Sequence, residues 1–95
     1  MYKIINKQRL NDQVVRMVIN APLIAKKAKA GQFIILRVSD HGERIPLTIA
    51  DYNREEGTVT IIFQEVGKTT IELGKKAKGE SIVDFVGPLG TPSHF

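Results

Sequence analysis

The sequence of 95 residues has no cysteine and only two histidines. Without cysteine, disulfides, thiolate metal sites and thiol catalysis are excluded, and a reducing compartment is favoured. His41 falls in a turn-rich segment and His94 stands next to the last residue. Two isolated histidines are not enough for a zinc site or a histidine-based triad, so neither metal catalysis nor hydrolysis is expected.

Long apolar runs are also absent. The run from Phe33 to Leu36 is far too short to span a bilayer, and residues 1–6 lack the apolar region of a secretory signal. We therefore expect a cytoplasmic protein without membrane contact. A chain of this length has room for one small domain, so we expect a single domain over residues 1–95 and no second domain.

The net charge of +4 and the pI of about 9.6 raise the question of nucleic-acid binding. Much of the excess lies in two lysine clusters, residues 26–29 and 75–78. Both clusters are interpreted as polar connecting segments, whereas a base-stacking platform needs cations interleaved with aromatics on strands. Solvated loops explain these clusters, and we expect no nucleic-acid partner.

Short strands with turn signals between them dominate the rest of the chain. Two short helices are also predicted. The first covers residues 23–28, with Pro22 at its start. The second follows from a capping-box pattern, Thr69 and Glu72, with Gly74 as the C-terminal cap. This pattern predicts an all-β antiparallel barrel or sandwich. The predicted strands cover residues 2–10, 13–20, 31–38, 43–51, 58–64 and 81–86, and the far end of 58–64 is expected to be buried on both faces.

The stretch from Glu43 to Asp51 is the most informative part of the chain. Pro46 interrupts an apolar strand, with Arg44 before it and the hydroxyl of Thr48 after it. Proline cannot donate to a strand ladder, so Pro46 is expected at an edge, a strand start or a bulge, where backbone groups are free for a ligand. The alternative is that Pro46 only blunts an edge strand and Arg44 is a solvated cation.

A second polar pattern is Gly67-Lys68-Thr69-Thr70. Glycine allows close approach of the backbone, and the start of a short helix has unpaired amides for an anion. With Arg44 and Thr48, this segment could hold a phosphate-bearing ligand against an apolar strand. The pattern lacks the full phosphate-loop motif, and capped helix starts are common in proteins that bind nothing. The spacing of Glu43, Asp51, Glu65 and Asp84 does not require a carboxylate pair.

Taken in order, five segments resemble the flavin-binding barrel of the ferredoxin-NADP reductase superfamily. Within it, the chain is most similar to the electron-transfer subunits of dihydroorotate dehydrogenase and the small subunits of NADH-dependent ferredoxin:NADP oxidoreductase, also called sulfide dehydrogenase. The resemblance implies a six-stranded antiparallel Greek-key barrel with one or two short helices and with FAD across its outside. The segments are Ala21-Pro22, Ala30-Gly31-Gln32-Phe33, Ile45-Pro46-Leu47-Thr48-Ile49, Val66-Gly67-Lys68-Thr69-Thr70 and Gly87-Pro88-Leu89-Gly90.

The resemblance also implies site residues. Thr48 takes the position of a catalytic hydroxyl near the reactive flavin nitrogen, an apolar floor supports the flavin ring, and the glycine-rich turn cradles the phosphates. The floor comprises Pro46, Leu47, Ile62 and Phe63, and the full predicted cofactor-binding set is Arg44, Ile45, Pro46, Leu47, Thr48, Ile62, Phe63, Gln64, Gly67, Lys68, Thr69 and Thr70.

Three positions depart from the family pattern. Ile45 stands where the family arginine belongs, so Arg44 points to the other side of an ideal strand unless the backbone bulges near Pro46. Gln64 stands where an arginine often occurs, and Thr69 replaces the second glycine of the turn. Lys68 and the helix amides are expected to compensate for the missing cations.

The function implied by the resemblance is electron transfer. FAD would pass electrons between a nicotinamide nucleotide and an iron-sulfur protein, with the nicotinamide domain or subunit supplied from outside this chain. The barrel alone is therefore not expected to oxidise NAD(P)H. One alternative is a small basic β-barrel that acts as a binding or scaffold module without cofactor. Another is self-association through an exposed cofactor face.

Overall fold

Seven β-strands and two short helices make up the computed structural model, which describes residues 2–29 and 31–90. Ala30, which belongs to one of the resembling segments, and His94 lie outside these ranges. The elements are β1 (Tyr2–Arg9), β2 (Val14–Asn20), α1 (Pro22–Lys27), β3 (Phe33–Arg37), β4 (Arg44–Asn53), β5 (Thr58–Gln64), α2 (Lys68–Lys75), β6 (Ser81–Ile82) and β7 (Asp84–Leu89).

The strands form one antiparallel sheet in the order β6-β1-β2-β5-β4-β3-β7. Only Val83 separates β6 from β7, yet β6 pairs with β1 at one edge and β7 pairs with β3 at the other. The sheet therefore curls into a nearly closed barrel. This confirms the all-β antiparallel barrel with two short helices, but the count of six strands was wrong. The predicted strand 81–86 is split, because its two halves pair with opposite edges of the sheet.

The connection from β2 to β3 does not join neighbouring strands of the sheet. The strands β3, β4 and β5 are joined as successive hairpin neighbours, while β2 lies beside β5 instead of β3. This order is that of a Greek key. The β1–β2 hairpin was also predicted, and its turn is closed by Asn11, whose side chain accepts hydrogen bonds from the amides of Gln13 and Val14.

Strand β5 differs from its prediction in where it is covered. Its first four residues, Thr58 to Ile61, are buried, so the near end of the strand is covered on both faces. Toward the far end the pattern alternates, with Ile62 43% exposed and Phe63 only 3% exposed. The far end was expected to be covered on both faces, which is wrong, because β4 pairs only with the first part of β5.

The two helices lie over opposite ends of the barrel. Helix α1 begins at Pro22, as predicted, and buries Ile24 and Ala25 beside the β4–β5 turn, where the Ala21 amide donates to the Gly57 carbonyl. Helix α2 follows the other end of β5 and buries Leu73 and Gly74.

Both helices end in lysine, Lys26 and Lys27 in α1 and Lys75 in α2. The lysine clusters thus begin within helices and not in connecting segments, and cations there complement the negative end of a helix dipole. Neither of the helices described has the length and apolar character needed to cross a membrane.

Candidate functional site

The candidate site is built where β4 and β5 separate. Strand β4 pairs with β3 from Arg44 to Thr48 and with β5 from Ile49 to Asn53. Within the described ranges no strand pairs with the β5-facing side of Arg44 to Thr48, and β5 continues to Gln64 along β2 alone. A cleft therefore opens between the two strands, with backbone of β4 at its edge.

Pro46 lies in this unpaired half of β4, opposite Ile35 of β3. The strand has a neighbour on one side only, so the prediction of an edge position is confirmed for this half. The alternative of a bulge at Pro46 is not observed, since the register shift of β4 falls between Ile49 and Asp51. Residues 44–48 keep a regular register with β3.

Regular alternation decides which side chains of β4 face outward. Arg44, Pro46 and Thr48 are exposed on the outer face, whereas Ile45 and Leu47 pack against the core. Arg44 is thus on the face opposite Ile45, and no bulge near Pro46 brings it into the family position. Its guanidinium instead lies 3.0 Å from the Asp84 carboxylate. Leu47 is half-buried and packs against the core, so its place in the flavin floor stays a prediction.

On β5, Ile62 and Gln64 are exposed and Phe63 is in the core. The predicted floor role of Phe63 is therefore wrong as a direct contact, because its side chain has almost no accessible surface. Of the four residues predicted for the floor, Pro46 and Ile62 are the ones that lie on the outer face.

Two residues that the sequence analysis left out of the site join it through strand pairing. Phe33 on β3 is opposite Thr48, and with Pro46, Leu47 and Thr48 it lines an open hollow. Arg16 on β2 is opposite Ile62 and alternates with buried Val15 and Met17, so it lies on the outer face. Arg16 could be found only from the register between strands, since it is far from the motifs in sequence. Phe33 belongs to one of the resembling segments, but its position opposite Thr48 also follows only from the register.

The start of α2 presents free amide groups. Gly67 is the N-cap, in an extended conformation without a capping side chain, and its N–H donates to the Thr70 hydroxyl at 3.0 Å. In the part of the chain that the structure describes, no acceptor is found for the N–H groups of Lys68, Thr69 and Thr70. These are the orphan donors of a helix start, and the dipole makes them attractive to an anion.

The predicted boundaries of α2 were wrong at both ends. The hydroxyl that caps the helix is that of Thr70, not Thr69, and it acts on the backbone of Gly67. Gly74 lies inside the last turn instead of beyond it, and Lys76 is the C-cap. Glycine at position 74 leaves space for the Glu65 carboxylate, which a Cβ there would displace.

A cavity of about 290 Å³ adjoins this helix start. It lies between the β3–β4 turn and the outer side of α2, and carboxylate, hydroxyl, imidazole and ammonium groups surround it. Its lining residues are Ser39, His41, Gly42, Glu43, Lys68, Thr69 and Glu72.

Two of the carboxylates considered in the sequence are held by arginines. Asp84 is bound to Arg44, and Glu65 is bound to Arg9 with an N–O distance of 2.6 Å. The hydrogen bond from Arg9 lowers the pKa of Glu65 and raises that of Arg9. Among residues 2–29 and 31–90 no group of three metal-ligating side chains occurs.

Comparison with known proteins shows which solved structures this barrel resembles. The solved structure of an NADH-dependent reduced ferredoxin-NADP oxidoreductase, described for flavin-based electron bifurcation, is 44% identical to the chain, with a TM-score of 0.96 over 99% of this chain and 34% of that one. The fold is that of the ferredoxin-NADP reductase type of barrel.

Two curated relatives match almost the whole of this reductase-type barrel. An uncharacterised protein of Clostridium beijerinckii is 57% identical over 100% of the chain. A Thermotoga maritima homologue of the electron transfer subunit of dihydroorotate dehydrogenase B (NAD+) is 45% identical over 96%. The barrel spans about a third of each relative, 32% in both cases. No family model matches the chain.

Proposed function

We propose that this reductase-type barrel binds FAD in the cleft between β4 and β5, with the flavin ring near Thr48 and the phosphates at the start of α2. The observation that carries the proposal is that β4 and β5 separate beyond the Ile49–Ile61 pair, toward Thr48 on β4 and Ile62 on β5. It leaves one side of β4 unpaired beside a helix start with free amides. Backbone donors of this kind are suited to a ligand that combines a flat ring with phosphates.

The residues at the start of α2 fit a phosphate group. The amides of Lys68, Thr69 and Thr70 are available as donors, and Gly67 has open space where a Cβ would lie. A ligand can therefore approach the backbone closely at Gly67. Lys68 and Arg16 add positive charge on the ligand side, which supports the expectation that other cations compensate for the missing family arginines.

Thr48 is proposed to hydrogen-bond to the edge of the flavin ring. Its side chain is exposed on the outer face, between Phe33 on β3 and the cleft. Phe33, Pro46 and Ile62 would supply the apolar surface against which the ring packs, while Phe63 supports that surface from the core. The flavin would supply the ability to accept and release electrons, and the chain would bind and orient it.

Arg44 needs a change of partner to serve as a phosphate ligand. Its guanidinium is hydrogen-bonded to Asp84, so contact with FAD would break an existing charge-assisted bond. We propose that Lys68 and the α2 amides act on the phosphates first, and that Arg44 has a secondary role. The assignments of Ile45, Leu47 and Gln64 as cofactor-binding residues stay predictions, with inward-facing Ile45 and Leu47 acting through the backbone.

In the complete protein we propose that FAD passes electrons between NAD(P)H and an iron-sulfur protein. The names of the relatives support this, since one is a homologue of an electron transfer subunit and one is an NADH-dependent ferredoxin-NADP oxidoreductase. The nicotinamide site would belong to a domain or subunit beyond these residues. Without flavin, exposed apolar side chains such as Ile62 and Val86 favour self-association, which FAD should reverse.

Flavin uptake tests the proposal directly. The purified protein is incubated with FAD or FMN, freed of unbound flavin and examined by visible absorption and by flavin fluorescence. We expect retained FAD, with weaker binding after Gly67→Ala, because an added methyl group blocks approach to the amides. Thr48→Val should shift the reduction potential of the bound flavin while leaving the unfolding midpoint nearly unchanged.

A matched control is Thr58→Val, which makes the same change at the other end of the β-sheet, where Thr58 is buried beside the α1 end. It should leave the flavin potential unaltered. A protein that retains neither flavin, or a Thr48→Val variant whose bound flavin has the wild-type potential, would contradict the proposal. Salt-sensitive binding of single-stranded nucleic acid without flavin uptake would instead favour a basic binding module.

A further inference from the structure

Two cations occupy core-facing positions on β1. Lys7 is paired with Met17 and Arg9 with Val15, and both partners have fully buried side chains. A register shift between Ile4 and Asn6 sets this alternation. A long cation at such a position has to extend its charged group to a polar partner at the rim, since an unpaired buried charge is very costly.

Both cations reach the last turn of α2 and its surroundings. The Lys7 ammonium donates to the Gly74 carbonyl at 2.6 Å, in the C-terminal turn of the helix. Arg9 donates to Glu65 at 2.6 Å and 3.4 Å, and the Glu65 carboxylate lies against Gly74. These four residues, Lys7, Arg9, Glu65 and Gly74, are called the α2 clamp below.

The clamp contributes more to geometry than to stability. The Arg9–Glu65 pair is partly exposed, with side-chain exposures of 46% and 14%, and such ion pairs stabilise proteins only slightly. Its position is nevertheless specific, because the Glu65 carboxylate lies where a Cβ of residue 74 would be and would have to move if one were added. A cation at the C-terminal carbonyls also favours the helix dipole.

The opposite end of the same helix carries the donors that the proposed function assigns to phosphate. Helix α2 has eight residues, or about 12 Å at 1.5 Å per residue, so a tilt at one end moves the other. Only Leu73 and Gly74 of the helix are buried, so apolar packing alone holds its direction weakly. The clamp adds polar contacts between the last turn of the helix, β1 and Glu65.

We propose that the α2 clamp positions the amides of Lys68, Thr69 and Thr70 for the phosphate of the flavin, so that Lys7, Arg9, Glu65 and Gly74 are positioning residues for cofactor binding. The inference rests on the proposed function. Its specific consequence is that damage to the clamp weakens binding of phosphate-bearing flavins and spares a flavin without phosphate.

The experiment compares FMN and riboflavin, which differ only by the phosphate, in titrations with the folded protein. We expect Lys7→Met and Gly74→Ala to weaken FMN binding about tenfold and to change riboflavin binding by less than about twofold, a range in keeping with couplings through packed elements. FAD should follow FMN. Lys7→Arg should retain most of the FMN affinity.

A double variant tests the contact between Gly74 and Glu65. In Gly74→Ala the new methyl group displaces either the helix or the carboxylate, and Glu65→Ala removes the obstacle. The double variant should therefore bind FMN more tightly than Gly74→Ala alone. Lys26→Met, which removes one positive charge from α1, is the control for net charge and should bind FMN as the wild type does.

The outcomes separate the two proposals. If the wild type binds FMN more tightly than riboflavin and the variants lose this difference while remaining folded by circular dichroism, the inference holds. If the wild type shows the difference but the variants keep it, or lose affinity for both ligands equally, the clamp is merely structural and the inference is overturned. If the wild type binds FMN and riboflavin equally, the inference alone is overturned. If the wild type binds none of FAD, FMN and riboflavin, the proposed function fails and the inference fails with it.

Discussion

The two ends of the barrel are closed by helices of similar length in different ways. At one end, α1 buries Ile24 and Ala25, followed by Ala28. At the other end, α2 buries Leu73 and Gly74, and it is contacted by charged side chains of β1 and by Glu65, which follows β5. The first helix is held by apolar contact, the second by one leucine and a polar clamp.

This difference follows from what each helix leaves exposed. The amides at the start of α2 have no acceptor within the described ranges, and Thr69 and Glu72 line a cavity, so that side of the helix is not packed. A helix that keeps one side open has less apolar area for the core, and polar contacts at its far end compensate. Helix α1 is not assigned a ligand, so it has no side that must stay open.

The largest effect is expected from removing the main apolar anchor of each helix. Leu73→Ala and Ile24→Ala should each lower the free energy of unfolding by about 2–5 kcal/mol, because each leaves a cavity in the core. Urea denaturation measures this loss. FAD titration of the folded protein should show weaker binding for Leu73→Ala only, and equal effects on FAD at both ends would remove the proposed distinction.

The next effect concerns the glycine that packs against α1. Gly57 has φ of +71° and an added Cβ would lie 2.9 Å from the Cβ of Pro22. Gly57→Ala should cost about 1–3 kcal/mol of unfolding free energy, because both the backbone and the contact are strained. Gly79→Ala is the matched control, since Gly79 has φ of +93° with open space around it. A cost no larger than that of the control would show that contact with Pro22 is unimportant.

A smaller effect is expected at Arg54, the counterpart of Lys7 at the α1 end. Its guanidinium donates to the Ala28 carbonyl at 2.9 Å and lies 4.9 Å from the centre of the Tyr52 ring. Arg54→Met should lower the free energy of unfolding by about 0.5–1.5 kcal/mol through the lost hydrogen bond. Flavin affinity should not change, in contrast to Lys7→Met. Weakened FMN binding in Arg54→Met would mean that the polar contacts at both ends affect the ligand.

The smallest effect is the pH dependence of the clamp. The hydrogen bond from Arg9 lowers the pKa of Glu65 below its ordinary value of 4.5. A lowered pKa means that the stabilisation is present above pH 4.5 and is lost as pH falls through the folded-state value. The raised pKa of Arg9 has no effect until strongly alkaline pH. Denaturation between pH 3 and 6 should therefore show a shallower acid loss for Glu65→Gln than for the wild type, and parallel curves would contradict this.

Local patterns in the sequence determined most of the secondary structure. Alternating apolar residues located the strands, Asn11-Asp12 the first turn, and Pro22 the start of α1. The unusual character of the Pro46 strand was also evident, because proline lacks the donor that a fully paired strand needs. These features depend on neighbours in sequence, so a single chain suffices to read them.

Tertiary structure alone decided how these pieces meet. Three features depend on the register between distant strands. They are the division of the last strand, the separation of β4 from β5, and the pairing that brings Phe33 beside Thr48 and Arg16 beside Ile62. The inward position of Lys7 depends on a β-bulge that no pattern in the neighbouring sequence predicts. A shift of one residue turns every side chain of a strand to the other face, so the members of the site could not be fixed before the pairing was known.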